Sequence, residues 1–257
     1  MSKYRVNVCL PPSAASDVEN ALAKAMAPFD MNRGEAFDPE ATWDWYRVDA
    51  GRQRFAVKPR HDGDPRLIHA DPIVVGTPHE PLRCDGGPRG LLDFDACRRA
   101  ARTEARVYWE AQQQDFERLV ADHPPAEPLT AFLARHTADP EGYPREQAVA
   151  DHHSQPLIKA LNHQSVFERY PSLGAWVLGP DTDPITIYSR DPEPSFELAE
   201  TWAVARAALL TLDGEWTGIK PYSADSDEES DTFARRSTAY LEALDEDCVV
   251  VRLLCHC

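Results

Sequence analysis

The chain has 257 residues, with 27 Lys and Arg against 43 Asp and Glu and a formal net charge of −16. Its average surface therefore repels phosphate, which excludes nucleic-acid binding by counterion release unless basic residues gather on one face. An apolar content of 42% with 9% aromatics excludes wholesale disorder, and 22 prolines against 12 glycines call for many rigid connections.

From residue 4 to 10 the chain alternates, with Tyr4, Val6, Val8 and Leu10 on one face and Arg5, Asn7 and Cys9 on the other, which predicts a strand. Ser16 and Glu19 have capping-box spacing ahead of a helix with the apolar stripe Val18, Leu22, Ala25 and Met26, and Pro28 stands at its end. A second strand is expected over 43–48. There the period of two puts Trp43 and Trp45 together in the core and turns Asp44 and Tyr46 the other way; these two, with Arg52, are candidate binding residues.

Residues 60–200 are too rich in helix signals to be a loop. Asp93 can cap a helix over 94–121, with Phe94, Cys97, Ala101 and Phe116 on its apolar face and Arg98, Arg99, Arg102 and Arg106 on a solvated one. The prolines of 123–128 break the chain, and shorter helices are expected over 129–137, 144–153 and 155–164. Residues 203–211 lead into Asp213-Gly214, a strong hairpin signal. A helix over 232–244 and a nearly continuous apolar strand over 248–254 complete the pattern.

The two ends together spell β-α-β…β-α-β, the order of a ferredoxin-like antiparallel sheet, so the expected class is α+β with its first and last strands paired antiparallel. Its halves would be 1–59 and 201–257, with 60–200 a mainly helical insertion packed on the core. No 18-residue apolar stretch or signal-peptide pattern occurs, so the expected setting is cytoplasmic, without a membrane partner. The six cysteines lack a Cys-x-x-Cys pair and read as reduced thiols.

Three stretches carry candidate chemistry. Cys84 on the Cys84-Asp85-Gly86-Gly87-Pro88 turn could be a nucleophile with His256 as its base and Asp85 as orienter, although the same glycines and proline also make a tight turn with a rigid exit whatever the function. Cys255, His256 and Cys257 are ligand types that zinc prefers, but on a strand His256 points away from both thiols, so a half-site would need a distant ligand such as Cys84; no metal or cofactor is expected. The acidic run with Asp225, Asp227, Glu228, Glu229 and Asp231 should stay solvated and is a candidate surface for a basic protein partner. Asp151-His152-His153 matches part of a phosphoesterase motif without the further aspartates that chemistry requires. Phosphate-loop, nucleophile-elbow and His-Glu-x-x-His patterns do not occur.

In chain order, Trp43-Asp44-Trp45-Tyr46 followed by Gly51-Arg52, then Cys84-Asp85-Gly86-Gly87-Pro88 with Leu92-Asp93-Phe94-Asp95, Gln155-Pro156, Leu212-Asp213-Gly214-Glu215-Trp216 and Cys255-His256, resemble a family of proteins from actinobacteria and their phages that has no established activity. The resemblance spans nearly the whole chain. It departs at Ala50-Gly51-Arg52-Gln53, where relatives read Gly-Gly-Arg-Trp, and at 219–222, where they are richer in glycine and tryptophan. It implies context rather than mechanism. The expected function is a non-catalytic acidic interaction module that engages a basic partner, for instance a nucleic-acid enzyme of a host or defence system; the alternative is an enzyme built on Cys84, Asp85 and His256.

Overall fold

The structure, a computed structural model, describes residues 3–34, 41–70, 79–163, 168–169, 173, 183–218 and 227–257. In chain order its named elements are β1 (Lys3–Leu10), α1 (Val18–Met26), β2 (Trp45–Val48), β3 (Phe55–Ala56), β4 (Arg83–Cys84), β5 (Gly86–Pro88), α2 (Phe94–Ala121), α3 (Leu129–Ala138), α4 (Arg145–Ser154), α5 (Pro156–Leu161), α6 (Pro184–Ser189), α7 (Glu193–Val204), β6 (Ala208–Leu210), β7 (Trp216–Gly218), α8 (Asp227–Ala243) and β8 (Val249–His256). The class is mixed α+β. Two compact units form, one from residues 1–102 with 197–257 and the other from 103–196.

The first unit is built on a mixed sheet of order β2-β8-β1-β6-β7, with β5 pairing to β8 beside that path. The expected antiparallel pairing of first and last strands is present, with Val6 opposite Leu253 and Cys9 opposite Val250. A ferredoxin-like core is not confirmed, because β6 lies parallel to β1, Val6 opposite Ala208, and β2 pairs with β8 instead of at the far edge. Residues 60–102 fall within this unit, whereas the sequence pattern groups them with the helical insertion. Gly86–Pro88 explains it: the stretch read as a turn runs antiparallel to β8, and Gly86 is needed because a Cβ there would lie 2.5 Å from the Val250 carbonyl.

Both faces of the sheet are covered, which is why β8 reads as continuously apolar. One face buries Val6, Val8, Leu10, Val251, Leu253 and Cys255 against Leu22 and Met26 of α1. That helix is capped by Asp17, whose carboxylate accepts the Asn20 N–H at 3.2 Å, one residue after the expected Ser16. The other face carries Cys9, Leu209 and Val250 and is covered by Phe55, Cys84, Leu92 and Phe94, together with Val204 from α7 and Leu241 from α8.

The second unit is helical. Phe116, Leu119, Leu157, Leu161, Leu173 and Tyr188 form its core, and the Tyr188 hydroxyl donates to the Leu173 carbonyl at 2.8 Å. His152 is fully buried, with neither ring nitrogen hydrogen-bonded, its Nε2 3.7 Å from Asp183 Oδ1. Asp183 itself accepts the N–H groups of Leu129 and Ile185, both at 2.9 Å. Burial, the dominant cause, lowers the pKa of His152.

Candidate functional site

Cys84, Asp85 and His256 are not brought together. Cys84 is fully buried on β4, and burial pushes its thiol up to about 12, the opposite of what an activated nucleophile needs. Asp85 is 1% exposed and serves the backbone: its two carboxylate oxygens accept the N–H groups of Ala50 at 2.7 Å and Ala70 at 2.8 Å, and its carbonyl accepts the Arg252 N–H at 2.8 Å. His256 lies further along β8 than Arg252, about 13 Å at roughly 3.3 Å per residue, far beyond hydrogen-bond reach of Asp85. Its carboxylate partner is Asp44, with Nδ1 2.7 Å from Oδ1.

The Trp43–Tyr46 block departs from strict alternation. Trp43 precedes β2 and makes an isolated bridge to Asp30, while the Asp44 N–H donates to the His256 carbonyl at 3.0 Å; the bend at Asp44 resets which face each side chain takes. Consequently Trp43 and Tyr46, not Trp43 and Trp45, share the α1 face, their rings edge to face at 4.9 Å. Trp45 is 37% exposed and lies parallel to the His256 ring at 5.4 Å. Of the expected binding residues in this block, Asp44 is therefore engaged by His256, Tyr46 packs in the core, and Arg52 is exposed on the turn after β2.

The terminal cysteines behave as core residues. All six cysteines are buried and outside any disulfide, and burial raises Cys255 to about 12. Among the described residues no group of three or more His, Cys, Asp or Glu could hold a metal ion. Asp151 in the helical unit accepts hydrogen bonds from Tyr143 at 2.9 Å and Gln147 at 2.7 Å, which ties it to its own helix pair.

In the acidic run, Asp225 lies outside the described residues. Asp227, Glu228, Glu229 and Asp231 fall at the start of α8, where the Glu229 side chain is exposed. Glu229 opens onto a cleft of about 670 Å³ between α8 and the β6–β7 hairpin. Asp213 and Glu215 of the hairpin face it with Glu229, Arg236 is the cation of its lining among the described residues, and Leu209 and Phe233 contribute apolar surface.

The hairpin is fixed from several sides. Gly214 takes φ +79 at the turn, Thr211 Oγ1 accepts the Glu215 N–H at 3.1 Å, and the Tyr240 hydroxyl of α8 accepts the Leu212 N–H at 2.9 Å. Burial raises the Tyr240 pKa, so the phenol stays neutral beside these carboxylates. Among the described residues β7 is the edge strand of the sheet.

A second polar cluster escaped the sequence reading. Arg252, in the middle of the apolar β8 run, is 0% exposed. Its guanidinium donates to Asn7 Oδ1 at 2.9 Å, to the Val204 carbonyl at 2.9 Å and to the Gln53 carbonyl, and stacks 3.8 Å from the Phe55 ring centre. Asn7 Nδ2 also donates to Val204, and Arg206 turns back onto the Trp202 and Ala203 carbonyls, so these side chains cap the C-terminal end of α7. The signal was present: a cation inside a strand buried on both faces must have a reason.

No protein-family model, curated protein or solved structure matches the chain.

Proposed function

We propose that the protein is a non-catalytic interaction module whose cleft between α8 and the β6–β7 hairpin receives a Lys- or Arg-rich segment of a basic protein partner. The observation that carries this reading is the cleft itself: among the described residues Asp213 and Glu215 of the hairpin and Glu229 of α8 present three carboxylates against one arginine, and hydrogen bonds within the hairpin and to Tyr240 of α8 fix its turn. A rigid acidic groove loses little conformational freedom on binding and attracts a cation from a distance. The charge of −16 adds to that attraction. Basic segments of this kind are typical of proteins that handle nucleic acid, which makes such a protein the expected partner class.

The test uses a labelled arginine-rich decapeptide and fluorescence anisotropy. Neutralising Asp213, Glu215 and Glu229 together, as Asp→Asn and Glu→Gln, should weaken binding about tenfold at low salt, the sum of three exposed pairs at roughly 0.5 kcal/mol each. Glu104→Gln, Glu117→Gln and Glu141→Gln together change the net charge equally at exposed positions elsewhere. Equal weakening by both sets would reduce the attraction to net charge and defeat the proposal, as would the absence of any salt-sensitive binding by the wild type.

A further inference from the structure

Three arginines on one face of the sheet stand out in so acidic a chain. Arg5 and Asn7 are alternate residues of β1 and so point to the same side, Asn7 lies opposite Arg252 on β8, and Arg206 leads into β6 on the other flank of β1. Hydrogen bonds gather two of them at the end of α7, where Asn7 and Arg252 meet at the Val204 carbonyl and Arg206 holds the Ala203 carbonyl at 3.0 Å, while Arg5 is placed by its position two residues before Asn7 on β1.

Among the described residues none of the three has a carboxylate within ion-pairing distance. The acids nearby are otherwise engaged: Asp49 pairs with Arg47 and accepts the Gly51 N–H at 2.8 Å, and Asp85 accepts two backbone N–H groups. The carbonyl end of α7 takes up part of the donor capacity, but a helix terminus supplies only about half a negative charge against three positive ones. The Nε atoms of Arg5 and Arg206 are both buried without a hydrogen-bond partner.

We propose that Arg5, Arg206 and Arg252 form the cationic wall of a binding site for a phosphate-type oxyanion, either the free ion or the terminal monoester of a small molecule. A tetrahedral oxyanion offers several acceptors to guanidinium forks and supplies the missing charge. Arg252 lies at the base, locked by its three acceptors, while Arg5 and Arg206 are only half-buried and form the side that solvent can reach. Gly51 lets the Arg5 guanidinium pack against bare backbone: a Cβ there would lie 2.5 Å from a terminal nitrogen of Arg5. If the arginines only capped α7, the buried Nε of Arg5 would be left without an acceptor among the described residues and beside like charges, which is unfavourable.

The full chain is titrated with sodium phosphate, with sodium chloride at matched ionic strength and with phenyl phosphate, following the unfolding temperature and the heat of binding. The expected result is a saturable rise in Tm with phosphate and none with chloride. Arg5→Gln should bind phosphate at least tenfold more weakly, while its Tm without phosphate stays level or rises because a repulsion is removed. Phenyl phosphate bound more tightly than phosphate identifies a monoester as the ligand, and equal or weaker binding identifies the free ion. Equal Tm in phosphate and chloride would overturn the proposal. So would wild-type phosphate affinity in Arg5→Gln, or loss of that variant's fold without phosphate, since Arg5 would then be a structural residue. None of these outcomes depends on the acidic cleft.

Discussion

Replacing Trp43 by alanine should be far more damaging than replacing Trp45, although the two indoles are separated by one residue. Trp43 is 8% exposed in the cluster between α1 and the sheet, and its Nε1 donates to the Met26 carbonyl at 3.2 Å, at the end of α1. Truncation removes a large buried ring, its edge-to-face contact with Tyr46 and that hydrogen bond. Large aromatic-to-alanine changes in cores cost about 3–5 kcal/mol, and the added polar loss places this one near 4. At about 2–4 °C per kcal/mol for a domain of this size, Tm should fall by about 8–16 °C. Trp45 has only its stacking on His256 and partial burial to lose, about 1 kcal/mol or less. Urea unfolding of both variants, with Cm and m measured, gives the comparison directly. Equal destabilisation by the two changes, or a Trp43→Ala variant within 1 kcal/mol of wild type, would refute the claim that the bend at Asp44 separates their faces.

Two further outcomes follow from the polar contacts. Asp85→Asn should destabilise by about 1–3 kcal/mol in the same urea assay, because the amide has one acceptor oxygen where the carboxylate serves both Ala50 and Ala70; a neutral effect would mean that the turn is held by its glycines alone. His152 has its pKa lowered in the folded state, so the unfolded chain binds the extra proton first. The stability it contributes is complete above the unfolded value of about 6.5 and declines as pH falls below it towards the lower folded value. His152→Leu should flatten the pH dependence of Tm between 5 and 7, and an unchanged slope would show that His152 does not carry it.

Much of this fold was legible because it rests on periodicity. The alternation of Tyr4, Val6, Val8 and Leu10 and the apolar run of β8 identify both strands, although β1 is buried on its second face too, through Asn7 and Cys9, and α2 occupies the span its stripe predicts. Strand partners are another matter. Nothing local in 208–210 says that it lies parallel to β1, and a glycine pair gives no strand propensity to Gly86–Pro88, whose pairing depends on the close approach of Val250. The candidate sites divide in the same way. Asp213-Gly214 marked the hairpin that forms one wall of the cleft, whereas the arginine cluster depends on three residues that only the sheet brings together. Cys84, Asp85 and His256 were grouped by chemical type, and type carries no distance.

The position of β8 has a consequence for biosynthesis. It is hydrogen-bonded to β1, β2 and β5, all of which leave the ribosome long before it does. Until residues 249–256 emerge, β1 has no antiparallel neighbour and neither β2 nor β5 has its place in the sheet, so a nascent chain must carry apolar strands with open edges while the residues between them and β8 are made. Such non-local closure makes assembly slow. Chains stalled or cleaved before Val249 should accumulate as aggregates or as clients of holdase chaperones, and the cell's cost of making this sheet is concentrated in the interval before β8 arrives.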